Sequence, residues 1–338
     1  MSRPTIHHLT QTLHRTAYSA IDPASPSNSA AGKRVVISSG ATGIGYAIAH
    51  SFVTAHAAVV ILLAWRAHAL DEAADKLRAY AAELNIATAI WTYTLDIRDD
   101  AATEAVFEDV RRRLKEEDTK PDGKEEQNQD VDVLVTSAAY FAPHNLSLSF
   151  SAETLRESFD TNVLGNMNLV RAFLRPEILF IPFTPVVTQA AQPATKATPP
   201  AGAKPPTKAK VVLDVSSITT YTVVPGVSAY GASKLAFTRL MAHLQAEVST
   251  ALPHIRIHSF HPGAIYTPAM QKTGFAPDFI RWDDESLPAG FAVWLACNEE
   301  AAFLKGRFVF AVWDVGEMVA MRERFEKEPG LCRIALDV

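Results

Sequence analysis

Cysteine is scarce in this chain, with two among 338 residues, Cys297 and Cys332. Neither stands in a CxxC pair or with histidines at metal-ligand spacing, which argues against a zinc site. So few thiols in so long a chain fit a reducing compartment. Long apolar runs are missing as well. The longest, Ala57–Trp65, is too short to cross a bilayer. The opening "MSRPTIHHLTQTLHRT" lacks the apolar centre of a signal peptide, and the final "LDV" is no readable targeting tail. The expectation is a cytoplasmic protein with no membrane partner. An excess of either charge is absent too: the net charge is −5, and "RRRLK" (Arg111–Lys115) runs straight into "EED" as a solvated helix face. Nothing here suggests nucleic acid as a partner. Finally, acids are missing from Thr188–Lys210, a stretch rich in Pro, Ala and Lys. Such a composition cannot build a packed core and is predicted to be disordered or extended.

What remains is an ordinary globular composition, 48% hydrophobic and 20% charged, long enough for a substantial core. After a polar, irregular arm (1–32), β-branched and apolar runs alternate with helical spacing. Strands are predicted at "RVVIS", "AAVVILLAW", "ATAIWTYTLD", "DVLVTSAA", "KVVLDVSS", "IRIHSFHPG" and "GRFVFAV". Between them lie amphipathic helices, the longest over Ser151–Leu174 and Tyr230–Val248. Apolar strands alternating with helices predict an α/β fold of the Rossmann type, a doubly wound and mostly parallel seven-stranded sheet. The reading is a single domain over 33–338, with surface insertions at 115–130 and 188–210.

Two motifs carry chemistry. "YGASK" places Tyr230 and Lys234 four apart, on one face of a helix. An ammonium beside a phenol favours phenolate and makes the tyrosine a usable proton donor near neutral pH. "SSGATGIG" (Ser38–Gly45) follows the first strand and opens a helix. Glycines there let the backbone approach a phosphate, which the helix amides and dipole attract.

In order along the chain these motifs resemble the short-chain dehydrogenases/reductases, and filamentous-fungal members in particular. That family carries TGxxxGxG at the glycine turn and YxxxK at the site. Asp96 in "TLDIRD" is similar to its adenine-side aspartate, Thr136–Ala139 ("TSAA") stands where it has NNAG, and Asn162 in "TNVLG" matches its helix asparagine. Ser217 in "DVSS" precedes Tyr230 at the family spacing, and "HPGAIYTP" is similar to its PGxxxT segment. The resemblance implies an NAD(P)(H)-dependent carbonyl reductase or alcohol dehydrogenase acting on a small apolar or aromatic molecule, such as a secondary metabolite. Tyr230 would be the general acid or base. Lys234 would lower its pKa and hold the nicotinamide ribose, Ser217 would bond the substrate oxygen, and Asn162 would support a water link from Lys234. The cofactor would lie along Ser39, Gly40, Thr42, Gly43, Ile44, Gly45, Arg66, Asp96, Ile97, Ala138, Tyr230, Lys234, Pro262, Gly263, Ile265 and Thr267, and no metal is implied. "LLAWRAH" ends the second strand without an acid, so Arg66 is free to meet a 2′-phosphate and NADP(H) is favoured over NAD(H). The family pairs its two long helices across a two-fold axis, which implies a homodimer or homotetramer.

Two departures bear on cofactor binding. Ser39 falls where the family has its first glycine, so a side chain is expected at positive φ. Thr136 and Ala139 replace the first asparagine and the final glycine of NNAG. The same acid–base set could also run an isomerisation, epimerisation, dehydration or cyclisation, or the fold could serve as a binding protein with little turnover. The substrate pocket is expected from 139–144, 218–225 and 266–282, with Tyr140, Phe141, Tyr221, Tyr266, Phe275 and Phe279 as aromatic lining.

Overall fold

Strand content follows the apolar runs closely. In the computed structural model, which describes residues 8–118, 130–178, 208–273 and 275–335, the strands are β1 (Arg34–Ser38), β2 (Val59–Ala64), β3 (Ala89–Thr94), β4 (Val133–Thr136), β5 (Lys210–Val215), β6 (Ile255–His261) and β7 (Phe308–Phe310). The helices are α1 (Gly43–Thr54), α2 (Ala67–Glu83), α3 (Asp100–Asp118), α4 (Ala152–Phe159), α5 (Asn166–Ile178), α6 (Ser228–Val248), α7 (Pro268–Lys272), α8 (Ser286–Cys297), α9 (Val315–Ala320) and α10 (Arg322–Lys327). All strand pairs are parallel, in the order β3-β2-β1-β4-β5-β6-β7.

Burial on both sheet faces explains the unbroken Val/Ile/Leu strands. One face packs against α1, α2 and α8, through residues such as Phe52, Leu77, Phe291 and Trp294. The other packs against α3, α5 and α6, through Phe107, Phe173, Phe237 and Met241. Chain order reverses between β1 and β4, and this opens a crevice at the carboxyl edge of the sheet where such folds bind ligands. No helix among the described residues is long and apolar enough to cross a membrane.

The structure departs from the sequence reading in four places. The arm is not irregular: its described part makes two short 3₁₀ turns and buries Ile21 completely. Its carbonyl lies so close to α8 that a Cβ on Gly290 would stand 2.5 Å from the Ile21 oxygen. The helix expected over Ser151–Leu174 is broken by a π-helical turn at Asp160–Gly165. The tail adds α9 and α10. Of the insertion placed at 115–130, residues 115–118 continue α3, and Asp130 is buried between Arg111 and Lys210. The rest of that segment and most of 188–210 lie outside the described residues, while Lys210 itself is a buried residue of β5.

Candidate active site

The glycine-turn side of the candidate site is made largely of backbone. Ser39 takes φ +54° and Gly43 φ +56°, so the turn does place a side chain in the left-handed region, at a cost of about 1 kcal/mol. Gly45 is where the turn has no room: a Cβ there would stand 2.4 Å from the Ser39 oxygen. Thr42, the N-cap of α1, makes no side-chain capping bond, which leaves the first amides of the helix for an anion. Gly40 packs on Leu62, and Gly43 faces Thr267, whose methyl carbon would lie 3.3 Å from an added Cβ. The loop after β6 therefore lies against the glycine turn. There Gly263 has φ +95°, and Asp283 accepts from the Ala264 amide at 2.8 Å. Ile265 bridges to Asp283, and Thr267 caps α7 through the Met270 amide.

A cavity of about 340 Å³ opens beside this turn, bounded among others by Thr42, Trp65, Arg66, Asp96, Arg98 and Ala138. Its two guanidiniums differ. Arg98 closes on both Asp96 oxygens, at 3.0, 3.1 and 2.6 Å, and holds that carboxyl below its usual range. Arg66 is exposed, has no carboxylate partner among the described residues, and lies over the Trp65 ring at 5.8 Å. Ile97 is fastened from behind: its carbonyl accepts from Asn168 at 3.0 Å, and its side chain fills the space where Gly165 lacks a Cβ.

The TSAA segment is held by partners that the motif reading did not foresee. Ser38 Oγ accepts from the Ser137 and Ala138 amides at 3.0 Å each, and Asn166 donates to the Ala138 carbonyl at 3.0 Å. Thr136 keeps a single tie to β5, through the Leu213 carbonyl at 3.3 Å.

On the proton-transfer side, Ser217, Tyr230 and Lys234 converge at the end of β5 and the start of α6. Ser217 Oγ accepts from the Thr219 amide and hydroxyl, at 3.2 and 2.9 Å, and its side chain favours the ionised form of the Tyr230 phenol. Phe141 packs against the Tyr230 ring at 4.5 Å. Lys234 is 1% exposed. Its ammonium donates to the Val215 carbonyl at 2.8 Å and stands 3.6 Å from Asp214 Oδ1.

Burial pushes the Tyr230 phenol up to about 12, the neighbouring Ser217 hydroxyl opposes that rise, and the Asp214 charge adds to it. Burial pushes Lys234 down while Asp214 pulls it up. The side chain of Asn162 is likewise engaged elsewhere, bridging the Tyr140 amide (2.6 Å) and carbonyl (2.9 Å) and donating to Ser233 at 2.9 Å. The π turn swings Asn162 into this position. Asp214 was missed by the motif reading, although an acid inside an apolar strand was the available signal.

The expected aromatic lining divides. Phe275 packs at a tilt against Phe279 at 4.8 Å and meets His144 edge-on at 4.8 Å, and His144 lies 6.0 Å from Phe141. These rings form one wall that reaches Tyr230. Tyr140 borders the nucleotide cavity instead, Tyr221 packs on Phe308 and Phe310 of β7, and Tyr266 packs on Trp282. His261, at the end of β6, is half-buried, and desolvation pushes it down to about 3.

Residues 33–178 and 204–276 match the short chain dehydrogenase family. A short chain dehydrogenase/reductase of Aspergillus aculeatus is 33% identical over 329 residues, covering 97% of this chain and 96% of that one. Another, from Claviceps purpurea, is 33% identical over 294 residues, 87% of this chain and 82% of that one. Among solved structures, a 7α-hydroxysteroid dehydrogenase complexed with NADH and 7-oxo glycochenodeoxycholic acid superposes with TM-score 0.64 at 18% identity, covering 88% of this chain and 97% of that one. The L-sorbose reductase of Gluconobacter frateurii, complexed with NADPH and L-sorbose, does so with TM-score 0.62 at 20% identity, covering 84% and 96%.

Proposed function

The chain belongs to the short-chain dehydrogenase/reductase family, and from that premise we propose that it is an NADP(H)-dependent oxidoreductase that interconverts a carbonyl and an alcohol on an aromatic small molecule. The observation that carries this reading is that Ser217, Tyr230 and Lys234 gather at the carboxyl end of β5, on the same edge of the sheet as the glycine turn. The turn fits a dinucleotide: α1 has unengaged amides at its start, and the backbone at Gly45 leaves no space for a Cβ. Arg66 and Thr42 would hold the nucleotide end, and Thr267 and the backbone after Pro262 the other. Bound there, the cofactor would supply or accept the hydride. Tyr230 gives its phenolic proton to the carbonyl oxygen in reduction and takes it back in oxidation. Ser217 bonds the same oxygen as negative charge grows on it. Lys234, once its ammonium turns from the Val215 carbonyl toward the phenol, favours phenolate.

Preference for NADP(H) rests on the contrast between the two guanidiniums. Arg98 is neutralised by Asp96, whereas Arg66 stands free to take a 2′-phosphate. The wall of Phe141, Phe275 and Phe279 favours a flat, apolar substrate.

Trp65 lies at the cavity edge and is 74% exposed, so its fluorescence can report binding. Titrated with each cofactor, the protein is expected to quench with micromolar NADPH and more weakly with NADH. Tyr230→Phe is expected to abolish turnover of an aromatic quinone such as phenanthrenequinone while cofactor binding persists. Absence of binding by either cofactor overturns the oxidoreductase reading and leaves the same residues to non-redox acid–base chemistry. Undiminished turnover in Tyr230→Phe overturns the role of the tyrosine.

A further inference from the structure

A lysine ammonium at the depth of Lys234 needs a counter-charge, because burying an isolated ammonium costs more than any single neutral hydrogen bond returns. Its neighbours supply one. Asp214 lies on β5 with no exposure, its register partners being Thr136 on β4 and Ser259 on β6. One carboxylate oxygen accepts from Thr238 at 2.7 Å, and Thr238 is bonded to Ser216 at 2.6 Å. The other oxygen, Oδ1, has no hydrogen-bond partner and is the atom that lies 3.6 Å from the ammonium. Thr136, Ser259 and Thr238 are uncharged. The titratable groups facing the carboxylate are Lys234 and Tyr230, both from α6. Resting on the oxidoreductase reading, we propose that Asp214 is a positioning residue of the active site: it is the counter-ion that keeps Lys234 an ammonium and sets where that ammonium sits before a ligand arrives. Ser217, Tyr230 and Lys234 thus depend on a fourth, buried group that touches neither substrate nor cofactor.

The first test needs no cofactor. Asp214→Asn keeps the shape and the acceptor for Thr238 but removes the charge, so Lys234 loses its proton at a lower pH in the folded state than in the unfolded state. Between those two values the unfolded variant binds more protons than the folded one, so its stability rises with pH. The gap in thermal midpoint between wild type and Asp214→Asn is therefore expected to shrink by about half or more from pH 7 to pH 10. Asp214→Asn/Lys234→Met, with neither charge buried, is expected to show a gap independent of pH and to fold even where the single variant does not. A pH-independent gap in the single variant, or a double variant that folds no better than an insoluble single one, overturns the proposal. The second test reads cofactor. From pH 6.5 to 9, NADPH is expected to bind wild type with less than about a 3-fold loss and Asp214→Asn with a loss of about 10-fold or more, as the variant sheds its ammonium. Parallel losses in both overturn the counter-ion. No NADPH binding by wild type overturns the oxidoreductase reading instead, and the thermal gap still decides on Asp214.

Discussion

The turn between β1 and α1 and the floor between β5 and α6 lie on the same carboxyl edge of the sheet, yet they are made of different materials. At the turn the working groups are amides and positive-φ residues, and the side chains there mainly buttress: Ser38 gathers the Ser137 and Ala138 amides, and Thr267 faces Gly43. At the floor the working groups are side chains, nearly all buried, each held by another: Ser217 by Thr219, Lys234 by Val215 and Asp214, and Asp214 by Thr238. The contrast explains where this sequence departs from its family. A site built from backbone asks for a conformation, and several residues can provide it at modest cost. A floor of side chains asks for particular atoms, and here the serine, tyrosine and lysine of the family are all present. The turn and its neighbours carry Ser39 and TSAA where the family's motifs have glycine and NNAG; the floor carries the motif's serine, tyrosine and lysine, with an acid beneath them.

Three substitutions sharpen that comparison. The largest effect is expected at Gly45→Ala, where the added carbon meets a backbone oxygen that cannot retreat without moving the turn. NADPH binding should fall about 100-fold or more, and near-normal affinity would show that the turn is softer than its geometry suggests. Next comes Arg66→Ala. A charge-assisted contact is worth about 1.5–3 kcal/mol, so the ratio of NADPH to NADH affinity should drop about 10-fold or more. An unchanged ratio would remove Arg66 from phosphate recognition. The smallest is Ser39→Gly, which relieves the left-handed serine and should tighten the dinucleotide a few-fold, by about 1 kcal/mol at most. Weaker binding would mean that the Ser39 hydroxyl makes a contact worth more than the strain it causes.

The fold was legible because strand burial and helix spacing agree along the whole chain. The seven strands sit where apolar runs predicted them, and the glycine turn adopts the positive φ expected at Ser39. What stayed hidden depends on contacts between distant segments. Periodicity ran straight through Asp160–Gly165, because a single six-residue π turn is too short to stand out in an apolar pattern and shows only in where Asn162 points. The arm reads as polar because its anchors are single residues, Ile21 and Asn28, with Asn28 meeting Asn298 across the fold at 3.0 Å. The Asp214 carboxylate beside Lys234 stayed hidden because spacing gives a shared helix face for Tyr230 and Lys234 and says nothing of an acid on the strand beneath.

Arg15 of the arm donates to Asp283 at 2.9 Å and to the Arg281 carbonyl at 2.9 Å, while the Asp284 amide donates back to the Arg15 carbonyl at 2.7 Å. Because Asp283 in turn holds the Ala264 amide, the start of the chain and the loop behind the Pro-Gly segment form a single mechanical piece. Swapping that loop for a relative's therefore means transplanting the arm with it. A graft of the loop alone would leave the Arg15 guanidinium facing a segment not matched to it.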